Sequence, residues 1–233
     1  MLMKKAKVIK RLNNQISRDI WVREKLQQQP YGNRILDVGS GSQRYRDNCY
    51  HLEYFAHDFK EFSFDSKKSF TGDNGGDDGY QYGDMDYCSD ILDIPVENES
   101  FDIILCTEVF EHIPRPIEAL REVNRILRRD GLLVLTAPTN SLRHFDPFYF
   151  YSGFSDNWYK QILKDEGFKI IELTQIGDYY SWMSVELLRT MRTHNLISSI
   201  ILFPAFLYYF FKKTNEKSKN TLSEGYLVLA QRT

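Results

Sequence analysis

Acidic residues that close short apolar runs, each beside glycine, serine or an aliphatic side chain, are the first sign of chemistry in this chain. Asp37 is followed by Val38, Gly39, Ser40 and Gly41. Glycines at such an exit tolerate unusual dihedrals and present no Cβ, so the backbone can approach a ligand closely. The spacing is not G-x-G-x-x-G, because Arg44 stands three residues after Gly41. With Asp37 just ahead of the glycines, a pyrophosphate would be repelled, and a cationic or zwitterionic ligand fits better. Asp58, about 20 residues further on, closes a second run over 52–57, where a carboxylate can accept from both hydroxyls of a ribose. Asp90 and Ile91 follow a weaker run over 85–88 and pair an acceptor for an adenine amino group with an aliphatic cover for its face.

Glu108, Glu111 and His112 directly follow an apolar run over 101–106. If this segment is helical, their i, i+3, i+4 spacing puts all three on one face. Two chemistries suit them. In the first, Glu108 helps bind a cofactor while His112, with Glu111 beside it, acts as general base, since imidazole titrates near working pH. In the second, Glu108, Glu111 and His112, joined by His144, hold Mg²⁺ or a transition metal, with waters and acceptor oxygens completing the shell.

These residues need elements to position them. Residues 34–38 read as a buried strand running into the glycine loop, after a turn at Tyr31, Gly32 and Asn33. Between 116 and 129, Ile117, Leu120, Val123 and Leu127 follow helical spacing, with Pro116 in the first turn and Gly131 just past the end. A continuous apolar strand over 132–136 follows and stops at Pro138. Residues 158–166 read as a helix stopped by Gly167, and 168–173 and 225–230 read as strands. Alternating strands and helices, with strands apolar on both faces, imply a doubly wound, mostly parallel α/β sheet with helices on both faces. Its ligand crevice lies at the carboxyl ends of the strands.

The ordered set of Ile35 to Gly41, Asp58, Ser89 to Pro95, Ser100 to Asp102 and Thr107 to Ile113 resembles the class I S-adenosylmethionine-dependent methyltransferases, over about residues 30 to 175. The resemblance implies a Rossmann-like, seven-stranded sheet whose last strand, 225–230, is antiparallel. It implies that Asp37, Gly39 and Gly41 hold the methionine end of S-adenosylmethionine, Asp58 the ribose, and Asp90 with Ile91 the adenine. Gln43 departs from the pattern, since many members have a third glycine there. Glu108-x-x-Glu111-His112 is similar to the metal-binding version of the motif in some O-methyltransferases. The aromatic run 145–154, with Thr107 to Ile113, is similar to methyltransferases of bacterial surface-glycan and secondary-metabolite pathways, which implies an oxygen acceptor on a sugar or other small molecule. Aromatics facing the cleft would stack on that acceptor and exclude water.

The 233 residues are 42% hydrophobic and 27% charged, as expected of one globular domain. Lys plus Arg is 30 against 32 for Asp plus Glu, and the resulting charge of −2 provides no global field for nucleic acid or an anionic membrane; either partner needs a local patch. One candidate is a basic helix over 1–30, with Lys4, Lys5, Lys7, Lys10, Arg11, Arg18, Arg23 and Lys25 on a solvated face, ahead of the catalytic domain at 31–233. Cys49, Cys88 and Cys106 form no CxxC pair, which points to a reducing, cytoplasmic compartment. The stretch 71–90 reads as a mobile surface insertion, and its run Asp73 to Gly79 lacks the residue order of a calcium loop.

A long excursion at about 178–224 contains the apolar run 200–211 followed by Lys212 and Lys213. A dozen helical residues rise about 18 Å, short of a bilayer core of about 30 Å. Two readings stand for it: a packing lid or dimer interface, or an interfacial helix making peripheral contact with the inner membrane face through 196–213. A methyltransferase has two rivals. A nicotinamide-dependent oxidoreductase requires the absent G-x-G-x-x-G. A non-catalytic binding subunit or membrane scaffold has no need of Asp37, Asp58, Asp90 or the Glu108 to His112 cluster.

Overall fold

The computed structural model describes residues 11–62 and 81–233. Lys4, Lys5, Lys7 and Lys10 of the basic segment, and residues 71–80 of the glycine- and aspartate-rich stretch, lie outside the described residues. Seven strands, β1 (Arg34–Val38), β2 (Glu53–Asp58), β3 (Tyr87–Cys88), β4 (Phe101–Thr107), β5 (Leu127–Pro138), β6 (Phe168–Ile176) and β7 (Gly225–Arg232), form one sheet. Their order is β3-β2-β1-β4-β5-β7-β6. β7 runs antiparallel to both neighbours and the other pairings are parallel. The central strands alternate between two cores, as the period of two requires. Leu36, Val38, Ile104, Cys106, Leu133 and Leu135 point to one. Ile35, Ile103, Leu105 and Val134 point to the other.

The first core is covered by α2 (Pro116–Ile126) and α3 (Asp156–Asp165), through Leu120, Val123, Ile126, Tyr159 and Leu163. The second is covered by α1 (Asn14–Gln27), whose Trp21, Val22 and Leu26 are buried against the sheet. Arg18 and Lys25 of α1 are not on a solvated face: both side chains are 13% exposed, with ion pairs to Glu108 at 2.6 Å and Glu172 at 2.7 Å.

Two boundaries differ from the sequence reading. The third strand is only two residues long, and it pairs with the end of β2 alone. α2 stops at Ile126, not near Arg129, because Leu127 already pairs with Phe101 of β4; the register then jumps to Ile103 opposite Leu132, and residues 128–131 form the irregularity. Gly131 therefore lies inside β5 and does not stop the helix. The excursion between β6 and β7 folds as α4 (Tyr179–Thr193), α5 (Leu196–Phe211) and α6 (Glu216–Thr221). Asp178 caps α4 with a reciprocal bond to Ser181, and Asn195 caps α5. No helix among the described residues is long and apolar enough to cross a membrane.

Candidate active site

The carboxyl ends of β1, β2 and β4 meet at the glycine loop. Gly39 has φ +66°, and a Cβ there would lie 2.5 Å from Cγ2 of Val109, so the loop packs directly on the segment after β4. Gln43, at the third glycine position, takes φ +58°, which explains why that position favours glycine. Its side chain compensates by donating to the Asp84 carbonyl and accepting from Arg46 at 2.7 Å. Residues 81–86 do not stand off as a surface insertion. Gly83 N–H donates to the Gly41 carbonyl at 2.9 Å, and Ser40 Oγ lies 3.2 Å from Met85 Sδ.

Asp37 lies beneath the loop, 2% exposed, and accepts from Tyr54 Oη at 2.7 Å. Burial pushes its carboxyl up to about 7; the Tyr54 bond opposes this and the charge of Asp58 adds to it. Asp58, at the tip of β2, is also buried, with one oxygen accepting from Gly41 N–H and the other from Lys60 N–H, each at 3.0 Å. Asp90 is exposed and accepts from Leu92 N–H, whereas Ile91 packs into the first core. Close-packed glycines at the exit of β1, with acids at or beside the tips of β1, β2 and β3, suit S-adenosylmethionine: Gly39 and Gly41 give backbone access, and Asp58 and Asp90 offer acceptors for ribose and adenine.

Glu108, Glu111 and His112 do not share a helix face. Glu108 takes φ +54° at the end of β4, and residues Phe110–His112 form a single 3₁₀ turn. A left-handed, non-glycine residue at this place is a strained position of the kind found at functional sites. Its carboxylate is held by Arg18 at 2.6 Å and by Thr136 Oγ1 at 3.0 Å. Desolvation opposes the Arg18 charge, but attraction from Glu108 and Asp19 outweighs it and raises the guanidinium above its ordinary value. Paired with Arg18, Glu108 stands outside the cluster of Glu111, His112 and His144 that the sequence pattern joins it to.

Glu111, His112 and His144 do come together, with one ligand atom of each within 4.8 Å of the others. The aromatic segment after β5 holds them. The Glu111 carbonyl accepts from the N–H groups of Phe150 and Tyr151, and His112 Nδ1 donates to the Phe148 carbonyl at 2.7 Å. Phe145 stacks on Phe62 at 4.1 Å and packs against His112, Phe148 meets Phe59 edge-on, and Phe154 is core. Because a carbonyl only accepts, His112 carries its proton on Nδ1 and keeps the lone pair on Nε2. That nitrogen lies 3.7 Å from Glu111 Oε1. Burial, with His144 beside it, lowers the His112 pKa to about 4. Burial, reinforced by Glu108, pushes Glu111 well above the usual carboxylate range, and its Oε2 has no hydrogen-bond partner. One carboxylate and two imidazoles suit a transition metal; Mg²⁺ takes oxygen ligands, so this set does not fit it.

Beside this cluster is a cavity of about 190 Å³. Its walls are Glu108 and Glu111, the strand exit from Pro138 through Asn140 to His144, Asn14 of α1, and Trp182, Val185, Glu186 and Arg189 of α4. Glu224, just before β7, completes it. Burial pushes the Glu224 carboxyl up to about 7, and its Oε1 has no hydrogen-bond partner. Glu108 is neutralised by Arg18, while Arg189 lies 3.6 Å from Glu186. Arg18 and Glu224 escape a sequence reading, because neither carries a local signal: one belongs to a helix far along the chain from its partner, the other to a connection between helix and strand.

Residues 36–135 match a family model described as a methyltransferase domain. Sarcosine/dimethylglycine N-methyltransferase of Halorhodospira halochloris is 26% identical over 148 residues, covering 59% of this chain and 52% of that protein. Ubiquinone biosynthesis O-methyltransferase of Glaesserella parasuis is 42% identical over 40 residues, 17% of each chain. The chain thus aligns with no more than about half the length of these curated relatives. Phosphoethanolamine N-methyltransferase 2 of Haemonchus contortus, solved with S-adenosyl-L-methionine, shares the fold at a TM-score of 0.54 and 15% identity, covering 93% of this chain and 52% of that one. The strand order and the glycine loop agree with these matches: residues 36–135 are similar to the methyltransferase domain family, and the chain shares its fold with solved methyltransferases.

Proposed function

We propose that the protein transfers a methyl group from S-adenosylmethionine to a hydroxyl of a sugar or other small molecule seated in the cavity beside Glu111 and His144. The observation that carries this reading is the fixed tautomer of His112, whose Nδ1–H is committed to Phe148 and whose Nε2 lone pair lies 3.7 Å from Oε1 of Glu111, a residue of the cavity wall. S-adenosylmethionine, when bound, supplies an electrophilic methyl on a sulfonium; Gly39, Gly41, Asp58 and Asp90 would hold it. The chain's own task is then alignment of the acceptor and removal of its proton. A hydroxyl becomes strongly acidic as its oxygen acquires the methyl, so a base of pKa about 4 suffices, provided that it is unprotonated beforehand. The half-buried His112 meets that condition at neutral pH. Glu111 and Glu224 line the same cavity and can orient acceptor hydroxyls, donating when protonated.

The cavity holds about 190 Å³. Sites for drug-sized ligands commonly start at about 300 Å³. The smaller volume favours a small acceptor or one ring of a larger one. The cytoplasm is the compartment proposed for this reaction, in keeping with three cysteines that form no disulfide among the described residues. The test is a radiolabelled-methyl transfer assay against panels of monosaccharide, catechol-type and amine acceptors, without added metal. Transfer to a hydroxyl acceptor that falls at least about 100-fold in His112→Ala, with calorimetric cofactor binding retained, is the expected result. Transfer to amines alone would overturn the oxygen assignment, and cofactor binding without turnover on any panel would favour the binding-subunit reading.

A further inference from the structure

We propose that α5 is a docking surface for an anionic lipid bilayer, lying along the headgroup layer with one apolar face in the acyl boundary. The helix has 16 residues, none charged, and it buries none of them. A helix apolar on all sides normally belongs in a core. Among the described residues this one packs chiefly on α4, with Arg11 donating to the Tyr209 carbonyl near its carboxyl end at 3.0 Å. Ile197, Ile200, Ile201, Pro204, Tyr208 and Phe211 recur at helical spacing and form the uncovered face. Their exposure is high for such side chains: 69% at Ile197, 68% at Ile201 and 73% at Phe211. A contiguous apolar stripe of this kind marks an interaction site.

Charge and length select the occupant. The helix itself carries no Asp or Glu, and basic side chains stand at both of its ends, Arg192 before it and Lys212 with Lys213 after it, on a chain of net charge −2. Lys212 Nζ lies 4.6 Å from the Tyr208 ring centre at the end of the stripe, and aromatic and basic side chains together are the usual composition of a membrane interface. A helix of this length rises about 24 Å, less than the roughly 30 Å of a bilayer core. Both its ends return to the fold through α4 and α6, so the helix lies flat. A second copy docking by the same face would bring its own Arg192, Lys212 and Lys213 against a helix that carries no acid of its own. Because α4 also forms a wall of the cavity, docking sets that cavity beside the lipid; the docking itself does not depend on methyl transfer.

The test is co-sedimentation of the full chain with vesicles of phosphatidylcholine, and with vesicles of equal parts phosphatidylcholine and phosphatidylglycerol. Binding to the mixed vesicles, weakened by salt, is expected. Lys212→Gln with Lys213→Gln should lower partitioning roughly 25-fold, about fivefold for each charge. Ile200→Ser with Ile201→Ser should abolish it while circular dichroism and cofactor calorimetry stay unchanged. The proposal is overturned if the protein ignores both vesicles, if the serine variant partitions like the parent, or if these substitutions instead dissolve a dimer seen by light scattering in the absence of lipid.

Discussion

Replacing Gly39 with alanine puts a methyl group into space that Val109 already fills. The added Cβ lies 2.5 Å from Cγ2 and 2.9 Å from Cγ1 of Val109, inside van der Waals contact, and the residue must keep φ +66°. A side chain in the left-handed region costs about 1–2 kcal/mol, and overpacking of a well-filled site about 1–3 kcal/mol more. The sum, about 2–5 kcal/mol, is a large part of the roughly 5–15 kcal/mol that holds a typical domain. Urea unfolding measures it directly. Val109→Ala in the same chain separates the two components: it removes the collision but not the dihedral strain. The double variant should therefore recover about 1–3 kcal/mol relative to the sum of the single changes. Calorimetry with S-adenosylmethionine adds a second readout, because the new methyl stays in the glycine loop after the valine is trimmed, so binding should remain weak in the double variant. Strict additivity of the two unfolding costs would refute the argument that this glycine is required by the approach of β4's exit segment.

The remaining predictions follow from charge placement. Asp37 has a folded pKa of about 7 against 3.8 in the open chain, so the native state binds this proton more tightly; its contribution is complete below about pH 4 and is lost as pH rises to about 7. Asp37→Asn keeps an acceptor for Tyr54 and should recover about 2–3 kcal/mol at pH of about 8 relative to about 5, leaving the smaller slope that Glu224 adds in the same direction; an unchanged urea profile at both pH values would contradict this. Arg18→Ala strands the Glu108 carboxylate and should cost about 1–3 kcal/mol in urea unfolding, largely restored by Glu108→Gln in the same chain; a full loss that persists in the pair would show that Arg18 acts by packing alone. Asp58→Ala should weaken cofactor binding at least about tenfold by calorimetry, since it removes the acceptor at the tip of β2 and the support of Gly41 N–H together; equal affinity would remove Asp58 from the site.

Periodicity and punctuation in the sequence determine most of the sheet, because alternating burial on β1, β4 and β5 and helical spacing on α2 are properties of neighbouring residues. The glycine loop and the acid at the end of β2 are legible for the same reason, as is the excursion before β7. The end of α2 is not, because the pairing of Leu127 with Phe101 depends on a strand on the far side of the helix in sequence and overrides local helical preference. The Glu108 to His112 segment departs from its local pattern in the same way. Its i, i+3, i+4 spacing suits a helix, but the β4 to β5 pairing, Arg18 from α1 and the carbonyl of Phe148 send Glu108 to a cation and His112 to a backbone acceptor, leaving Glu111 and His112 in contact without a helix between them. Only the tertiary structure brings His144 to Glu111 and His112, places Glu224 across the cavity and buries Asp37. Those outcomes rest on desolvation and long-range contact, which no local pattern of residue types encodes.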